Sequence, residues 1–414
     1  MGKIIGLSII SLSLIAFDFY IYKAVLNIYP QWSAVKKKNF KHLWFGYTLV
    51  LLLGVVISLT FTNIWLSLKT VILVAYFITF VTKLVWCIIL FVDDIRRGAV
   101  FVKRKVVTEV PITEPNRDAI PRSEFLVKAG MAVAAVPFAS LSWGVAYGAY
   151  DYRVRKQVLA FENLPKAFDG VTIAQISDVH SGSFYNKKAV LGGVEMMLQQ
   201  KPDMVFFTGD LVNGRANEMR DYQDIFAKIK APLGVFSTLG NHDYGMYEKW
   251  SSEAARNKNI ADVKKVHALM GWDLLMNENR RVKVDGEEIG VLGIENWGKG
   301  RFPKFGKMED AIKNTDDLPI KLLLSHDPSH WRAEVLQKYP QIDASFAGHT
   351  HGAQFGVESE YVKWSPVQYV YDEWDGLYEE GKQKLYVNVG YGFLGYPGRV
   401  GILPEITIFE LRRA

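Results

Sequence analysis

Cysteine is nearly absent from this chain of 414 residues, in which Cys87 is the only one. A single thiol excludes an intrachain disulfide framework and every zinc module built from several cysteines. The sequence also lacks an internal repeat of fixed period and any low-complexity tract, which excludes solenoid and fibrous architectures.

Acidic residues are scarce in the first part of the chain. Residues 1–156 carry 19 Lys and Arg against 8 Asp and Glu, whereas residues 157–414 carry 30 against 35. The formal charge of +6 therefore comes entirely from the first part, and the mean hydropathy of +0.04 averages two unlike regions. A nucleic-acid binder would concentrate positive charge in its globular part, so the charge distribution argues against that class.

Four apolar stretches lie in the first 150 residues, and each is about long enough to cross the hydrocarbon core of a bilayer. They are Ile4–Tyr22, Leu43–Thr62, Thr70–Val92 and Ala129–Tyr150. The first is not typical of a cleaved signal peptide, because one lysine precedes it and no small-residue cleavage site follows. The sequence therefore predicts a transmembrane anchor of about four helices in residues 1–156.

The basic residues of this anchor are concentrated in two connecting segments, 23–42 and 93–128, and the second contains a predicted cytoplasmic loop at 103–123. By the positive-inside rule both segments face the cytoplasm. This predicts a multi-pass protein of the inner membrane whose residues after Tyr150 lie outside the cytoplasm. If the fourth stretch lies along the membrane surface instead, the orientation is reversed.

Asp18 and Lys83 lie at membrane depth. Charged residues inside a membrane are candidates for function. The alternative interpretations are an ion pair between helices or side chains that reach the interface from near a helix end. We favour these structural interpretations.

From Gln157 onward, short apolar runs alternate with amphipathic segments such as Lys187–Gln200 and Tyr222–Lys230. Runs that are apolar throughout are typical of strands buried on both faces. The alternation predicts a layered α/β domain over residues 157–414. The predicted strands are Val171–Ile176, Met204–Thr208, Val235–Leu239, Ile289–Ile294, Ile320–Leu324 and Ala344–Ala347.

Polar side chains follow five of these strands. They are Asp178 and His180, then Asp210, then Asn241, His242 and Asp243, then His326, and finally His349 and His351. Because ligand sites in open α/β sheets form beyond the carboxyl ends of the strands, we expect these groups to converge. Carboxylate, amide and imidazole ligands together suit Mn, Fe or Zn rather than calcium. Two aspartates, one asparagine and four histidines are too many for one tetrahedral ion and suit a bridged pair roughly 3.5–4 Å apart.

The blocks D-x-H, G-D, G-N-H-D, a lone His and G-H-x-H occur here in that order. This set resembles the calcineurin-like metallophosphoesterase superfamily, and the flanks Asn163–Gly170 and Tyr396–Ile406 resemble its membrane-attached bacterial branch. The resemblance covers residues 157–414 and implies a four-layer α/β/β/α sandwich. Ala353 departs from the pattern, since many relatives have a glycine after G-H-T-H-G, and this changes the loop without removing a ligand.

The resemblance also implies roles for the residues of these blocks. It places one metal on Asp178, His180, Asp210 and His351, and a second on Asp210, Asn241, His326 and His349, so that Asp210 bridges the two. It implies that a metal-activated hydroxide hydrolyses a phosphodiester, phosphomonoester or pyrophosphate bond. His242, paired with Asp243, would protonate the leaving oxygen or stabilise its developing charge.

Other polar and aromatic residues receive structural or open interpretations. Asp327 and Asp343 are interpreted as loop groups or as groups that support ligands. Arg399 either contacts a substrate phosphate or forms a structural salt bridge. An aromatic cluster either walls a lipid-binding cleft or fills the interior of a β-rich region; it comprises Trp364, Tyr369, Tyr371, Trp374, Tyr378 and Tyr386. The remaining histidines, His42, His267 and His330, are interpreted as structural.

The function that these patterns favour is a membrane-anchored metallophosphoesterase with two divalent ions, Mn, Fe or Zn, acting on lipid or cell-envelope phosphoesters. Its expected partners are membrane lipids and a phosphoester substrate, with no nucleic acid. The sequence leaves open whether the substrate is lipid-linked, and it leaves the oligomeric state open. The alternatives are a soluble (cyclic) nucleotide phosphodiesterase, a non-catalytic metal-binding regulatory module, and a transporter with a regulatory soluble part. The complete ligand set argues against the regulatory module, and an anchor with two internal charges offers little for a permeation path.

Overall fold

The structure is a computed structural model that describes residues 2–60, 66–106, 122–300, 302 and 304–414. The chain divides into two compact units, Met1–Trp143 and Gly144–Ala414. A strand at Arg153–Phe161 pairs with Glu405–Arg413 and so belongs to the second unit, while the boundary at residue 157 stays a prediction.

Long helices account for the apolar stretches of the anchor. They are α1 (Gly2–Ile28), α2 (Ala34–Thr60), α3 (Leu66–Val106) and α4 (Arg122–Ala146). Four segments of the described part are long and apolar enough to cross a membrane: Gly6–Ile28, Ala34–Thr60, Lys69–Ala99 and Glu124–Tyr150. Residues 61–65 and 107–121, which include the end of the second predicted stretch and most of the predicted loop 103–123, lie outside the described residues.

The two charges at membrane depth form an ion pair within the first unit. Lys83 Nζ contacts the carboxylate of Asp18 and lies 2.9 Å from Thr48 Oγ1, and both charged side chains are buried. The ammonium also lies 4.7 Å from the ring centroid of Trp44. The interpretation as an ion pair between helices is confirmed.

Fourteen strands occur in the described part of the second unit. They are β1 (Arg153–Phe161), β2 (Thr172–Ile176), β3 (Met204–Phe207), β4 (Val235–Ser237), β5 (Asp273–Leu274), β6 (Glu278–Val284), β7 (Glu287–Gly293), β8 (Lys321–Leu324), β9 (Ala344–Ala347), β10 (Val357–Glu358), β11 (Lys363–Trp364), β12 (Gly376–Glu380), β13 (Gln383–Val387) and β14 (Glu405–Arg413). One six-stranded sheet has the order β1-β14-β2-β3-β4-β5 and the other has the order β12-β13-β9-β8-β7-β6, while β10 and β11 form a separate hairpin.

Most neighbouring strands of the two sheets are parallel. In the first sheet β2, β3, β4 and β5 run parallel, and in the second β7, β8, β9 and β13 do so. Parallel strands end at the same edge of their sheet. The loops that follow β2, β3, β4, β8 and β9 therefore lie close together, as expected for a ligand site.

Helices cover the outer faces of both sheets. They are α5 (Lys187–Gln199), α6 (Gln223–Phe226), α7 (Glu253–Met270), α8 (Met308–Ala311) and α9 (Leu336–Lys338), with a π-helical turn at Trp331–Val335. Successive side chains of β3 alternate between two cores, since Met204 and Phe206 pack between the sheets while Val205 and Phe207 pack with residues of α5 and α7. A third core joins the second sheet to α8 and the π-helical turn. The predicted four-layer α/β/β/α arrangement is confirmed.

Candidate metal centre

The backbone at the strand ends is unusual. Five of the predicted ligands have a positive φ, between 47° and 73°: Asp178, His180, Asp210, His349 and His351. Non-glycine residues rarely adopt this conformation, and where it persists the surrounding structure holds it in place, commonly at functional sites. Each turn therefore directs its side chain back across the end of the sheet.

Two glycines allow the ligand loops to approach one another closely. A Cβ at Gly240 would lie 2.2 Å from Asp210 Oδ1, and one at Gly348 would lie 2.2 Å from Asp178 Oδ2. Any side chain at either position would displace a predicted ligand. These contacts explain the glycines that precede Asn241 and His349.

Asp178, His180 and His351 form the first group of buried ligand atoms, all within 4.8 Å of one another. His351 Nε2 lies 3.2 Å from Asp178 Oδ1. The Nε2 atoms of both histidines are buried, and neither has a hydrogen-bond partner within the described part of the chain. Buried nitrogens that lack a hydrogen bond and face a carboxylate fit the requirements of a divalent cation.

Asp210, His326 and His349 form the second group, again within 4.8 Å. His326 Nε2 lies 3.3 Å from Asp210 Oδ2 and 3.2 Å from Asn241 Oδ1. His349 presents its other nitrogen, since Nδ1 lies 3.3 Å from His326 Nε2. Asn241 therefore lies beside this group.

Asp210 lies between the two groups. Its Oδ2 is 3.5 Å from His180 Nε2 and 3.3 Å from His326 Nε2. One carboxylate thus faces a histidine of each group, which is the arrangement required of a bridging ligand. The structure brings all seven predicted ligands into one centre.

Hydrogen bonds outside the centre fix which nitrogen each imidazole presents. His326 Nδ1 lies 2.7 Å from the carbonyl oxygen of Thr208, and His180 Nδ1 lies 3.1 Å from Asn213 Oδ1. Because an oxygen of this kind accepts, each Nδ1 carries the proton and each Nε2 is left for a metal.

The electrostatics of the centre favour positive charge. Burial lowers the pKa of His180 to about 3, so this imidazole is neutral. Burial also lowers the pKa of His326, but Asp210 and Asp178 overcome it and raise the pKa to about 10. Although burial raises the pKa values of both aspartates, the neighbouring histidines hold them below the usual range. Ionised carboxylates in a buried cluster stabilise a cation between them.

His242 lies beside this centre but is not paired with Asp243. Its ring centroid is 4.9 Å from that of His180, and its Nδ1 lies 2.8 Å from the carbonyl oxygen of Asn213. Nδ1–H therefore donates to a carbonyl, and Nε2 remains for proton transfer.

Asp243 has a different set of partners. Its carboxylate accepts backbone N–H groups from Gly240, Asp210 and Leu211, each at 2.9 Å. The predicted His242–Asp243 pair is wrong, because these bonds direct the carboxylate into the loops while the imidazole faces the centre. Burial and the charge of Asp210 raise the pKa of Asp243 to about 7.

Two tyrosines and one asparagine contact predicted site residues without having been assigned to the site from the sequence. Tyr247 Oη accepts from Asn241 Nδ2 at 2.9 Å, and its ring lies on His242 with the centroids 4.4 Å apart. Tyr371 Oη lies 2.8 Å from His349 Nε2. Asn213, described above, is the third. Tyr371 belongs to the predicted aromatic cluster, whereas no pattern in the sequence marks Tyr247 or Asn213.

The aromatic cluster does not act as one unit. Tyr371 reaches the metal centre, whereas the hydroxyl of Tyr386 donates to Glu405 in the buried interior. Trp374 is buried and Tyr369 is 76% exposed. The interpretation as buried interior therefore holds for Trp374 and Tyr386, and the lipid-binding cleft stays a prediction for the others.

Arg399 is fully buried and forms no ion pair with a described residue. Its guanidinium donates to the backbone carbonyls of Gly392 and Val389 and lies 3.2 Å from His351 Nδ1. The predicted salt bridge is therefore not formed within the described part of the chain, since the side chain holds the backbone of one loop against a predicted ligand; contact with a substrate phosphate stays a prediction.

The remaining predicted structural residues lie outside the two groups of ligands. His42 is exposed, and His267 and His330 are buried with hydroxyl partners on Ser237 and Ser325. Asp343 accepts from the backbone of Lys321, as expected for a loop group. Asp327 supports the site, since its Oδ2 lies 3.5 Å from His349 Nε2.

The fold and the centre together define a class: a metal-dependent hydrolase with a double-sheet core and a shared carboxylate between two groups of ligands. Residues 171–353 match the calcineurin-like phosphoesterase domain, and residues 3–149 match the transmembrane domain of probable calcineurin-like phosphoesterases. The chain belongs to the calcineurin-like metallophosphoesterase family and is a membrane-associated member of it.

Curated relatives with the same domain occur in bacteria and animals. The metallophosphoesterase YkuE of Bacillus subtilis is 28% identical over 302 residues, which are 70% of this chain and 97% of the relative. A metallophosphoesterase of Aquifex aeolicus is 27% identical over 65% of this chain and 97% of its own length. A transmembrane protein with a metallophosphoesterase domain from Danio rerio is 28% identical over 66% of this chain and 60% of its own length.

Proposed function

We propose that this protein is a membrane-anchored phosphoesterase that uses two divalent ions to hydrolyse phosphodiester, phosphomonoester or pyrophosphate bonds of lipid or cell-envelope substrates. The observation that carries the proposal is the position of Asp210 between the two groups of buried ligands. The mixed carboxylate, amide and imidazole ligands suit Mn, Fe or Zn.

Bound ions of this kind polarise phosphoryl oxygens and supply a hydroxide near neutral pH. The chain itself holds the ligands rigidly, because Asp178 and Asp210 accept backbone N–H groups from His349 and His242. Burial of the ligands excludes bulk water and strengthens the electrostatic interactions inside the centre.

His242 is the residue that we assign to proton transfer. Its Nδ1–H is held by the Asn213 carbonyl, so that when Nε2 is protonated it can donate to the leaving oxygen. The ring of Tyr247 restricts the orientation of the imidazole. Asp243 acts on the ligand loops and not on His242, since it binds the backbone of Gly240 and Asp210.

The test of the catalytic part measures release of 4-nitrophenol from bis(4-nitrophenyl) phosphate by the full chain in detergent. Chelation should abolish turnover and added Mn²⁺, Fe²⁺ or Zn²⁺ should restore it. Asn241→Ala and His242→Ala should each lower kcat by about 10²-fold or more, the range for a lost acid group. His42→Ala removes an exposed histidine and serves as the matched control. Chelator-resistant turnover, or full activity in both variants, contradicts the proposal.

The lipid or envelope substrate is supported by the four membrane-spanning candidates, which hold the enzyme at a bilayer. Incubation of the chain in vesicles with a total envelope lipid extract, followed by mass spectrometry of the products, identifies the substrate class. We expect a lipid phosphodiester or pyrophosphate to be consumed faster than soluble cyclic nucleotides. Faster turnover of the cyclic nucleotides would favour the alternative of a nucleotide phosphodiesterase.

A further inference from the structure

The segment from Phe355 to Val370, here called the apolar hairpin, exposes an unusual number of large apolar side chains. Thirteen such side chains are exposed in the described part of the second unit, and six of them lie in this segment of sixteen residues. Tyr361, Val370 and Tyr369 are 88%, 77% and 76% exposed. A concentration of this kind marks an interaction surface, because scattered single residues are the rule elsewhere.

The hairpin has an ordered local structure. β10 and β11 pair through Val357 and Trp364, and the hydroxyl of Ser359 accepts the backbone N–H of Val362 to close the turn. Phe355 and Trp364 are in ring contact, with centroids 6.4 Å apart. The paired strands and their turn therefore hold Val357, Tyr361 and Val362, whereas Tyr369 and Val370 lie at the end of the 3-10 turn Pro366–Tyr369 that follows.

The charged side chains of the hairpin are largely neutralised within the second unit. Glu358 pairs with Arg155, and Lys363 lies 2.9 Å from Asp375 Oδ2. These pairs lie on the two short strands, whereas Tyr361 and Val362 lie in the turn. The turn therefore presents one aromatic and one aliphatic group beside a single exposed carboxylate, that of Glu360.

Within the second unit, the base of the hairpin adjoins residues 144–150, which are also the last residues of a candidate membrane span. Gly144, which lies near the end of the span Glu124–Tyr150, accepts from the backbone N–H of Arg399 at 3.2 Å. The next residue, Val400, donates to Gln354 O at 2.8 Å and accepts from Gly356 N at 2.9 Å. Two backbone contacts thus separate the span from the first residues of the hairpin.

The hairpin is also tied to the metal centre at both of its ends. Gln354 follows the predicted ligand His351 by three residues, and Ser365 Oγ donates to Gly352 O at 2.7 Å. Tyr371, the residue after the hairpin, has its hydroxyl oxygen 2.8 Å from His349 Nε2. A surface in contact with the hairpin is therefore adjacent to the ligand loop G-H-T-H-G.

We propose that the apolar hairpin inserts its turn into the interfacial region of the bilayer and thereby places the metal centre at the level of lipid headgroups. Tyrosine and tryptophan side chains favour this region, where the ring is apolar and the polar atom is hydrated. The occupant is the lipid surface, because the base of the hairpin lies two backbone contacts from Gly144, where the second unit begins within a candidate membrane span. The inference deepens the proposed function, on which it rests for the lipid substrate.

The direct test measures membrane contact of the full chain in vesicles that contain doxyl-labelled lipids. The native thiol is removed by Cys87→Ser, and single thiols are introduced by Tyr361→Cys or Tyr369→Cys and labelled with an environment-sensitive fluorophore. Leu269→Cys is the matched control, since Leu269 is another exposed apolar residue, at 58%, on the outer helix α7. We expect the lipids to quench the labels at 361 and 369 several-fold more than the label at 269. Equal quenching at the three positions overturns the proposal.

A kinetic experiment separates this inference from the proposed chemistry. The double variant Tyr361→Ser with Val362→Ser should lower turnover of a vesicle-embedded phosphoester by about tenfold or more, since each lost apolar side chain weakens membrane partition. Its turnover of bis(4-nitrophenyl) phosphate should stay unchanged. Unchanged turnover of both substrates overturns the hairpin proposal, whereas wild-type protein inactive on both substrates overturns the proposed function.

Discussion

Tyr247 and Tyr371 contact side chains that we assign to the second ion. Tyr247 accepts from the amide of Asn241, and Tyr371 lies on Nε2 of His349. Different residues contact the ligands that we assign to the first ion. Asn213 is hydrogen-bonded to His180, and the guanidinium of Arg399 contacts His351. Groups that orient metal ligands typically change metal affinity by 10–100-fold when they are removed.

Tyr247→Phe and Tyr371→Phe should therefore lower the affinity for the second ion by about 10–100-fold and leave the affinity for the first ion unchanged. Isothermal titration of the metal-free full chain with Mn²⁺ measures both affinities. Tyr339→Phe is the control, because its hydroxyl contacts Glu309 in an outer layer. An equal loss at both ions would show that the tyrosines act only on the fold.

His267 predicts a pH dependence of stability that is independent of the metal centre. It is fully buried, with Nδ1 3.0 Å from Ser237 Oγ, and burial lowers its pKa to about 3. Between pH 6.5 and 3 the unfolded chain binds a proton that the folded chain does not. This contribution to stability is complete above pH 6.5 and falls by about 1.4 kcal/mol per pH unit below it.

When the pH falls from 7.5 to 5.5, the free energy of unfolding should decrease in both proteins. The decrease should be about 1 kcal/mol smaller for His267→Asn than for wild type. Urea unfolding of the metal-free proteins, followed by tryptophan fluorescence, measures the difference. Parallel pH profiles for the two proteins would assign the acid sensitivity to other groups.

At the scale of the elements, the chemistry depends on how closely the loops approach at the strand ends. A methyl group at Gly348 would lie 2.0 Å from Ser177 Oγ and 2.2 Å from Asp178 Oδ2. Both atoms belong to the buried loop after β2, so neither can move freely.

Gly348→Ala should lower the free energy of unfolding by about 1–3 kcal/mol and lower the affinity for the first ion. Gly192→Ala is the matched control, since Gly192 lies in α5 with open space around its Cα, and alanine there should be neutral or stabilising. Urea unfolding and Mn²⁺ titration measure both effects. Wild-type values for Gly348→Ala would show that the loops after β2 and β9 can separate.

The strands that position the ligands were predictable, because each is a short apolar run followed by residues that can bind metal. β3 and β9 begin at the predicted residues, and Asp210 and His349 follow them. β1 and β14 were not predicted, because their pairing joins residues at opposite ends of the unit.

The contacts between loops were also beyond the sequence. Tyr247 reaches Asn241 only because the loop after β4 turns back at Gly245, which has a φ of 63°. Adjacency in the sequence suggested the incorrect His242–Asp243 pair, although consecutive side chains in a turn point in different directions. The types of residue and their order in the sequence predicted which side chains are candidate ligands. Which residues these side chains contact depends on the direction of the backbone in each loop.

At the scale of the whole molecule, four candidate spans and two basic connecting segments predict that Gly2 and Ala414 both lie outside the cytoplasm. Alkaline phosphatase fused after Ala414 should therefore be active in bacterial cells, and green fluorescent protein at the same site should be dark. Fusion after Trp32, in the first basic segment, should give the opposite result. A fluorescent C-terminal fusion would place the enzyme on the cytoplasmic side.

β14 follows β2 by more than 200 residues in the sequence, yet it lies between β1 and β2 in the first sheet. Its residues pair in parallel with β1, as in Arg153 with Glu405, and antiparallel with β2. During synthesis, β1 and β2 therefore emerge without the strand that joins them. The first sheet closes only when Glu405–Arg413 have been made, so a nascent chain that stalls before Glu405 leaves two strand edges open to aggregation.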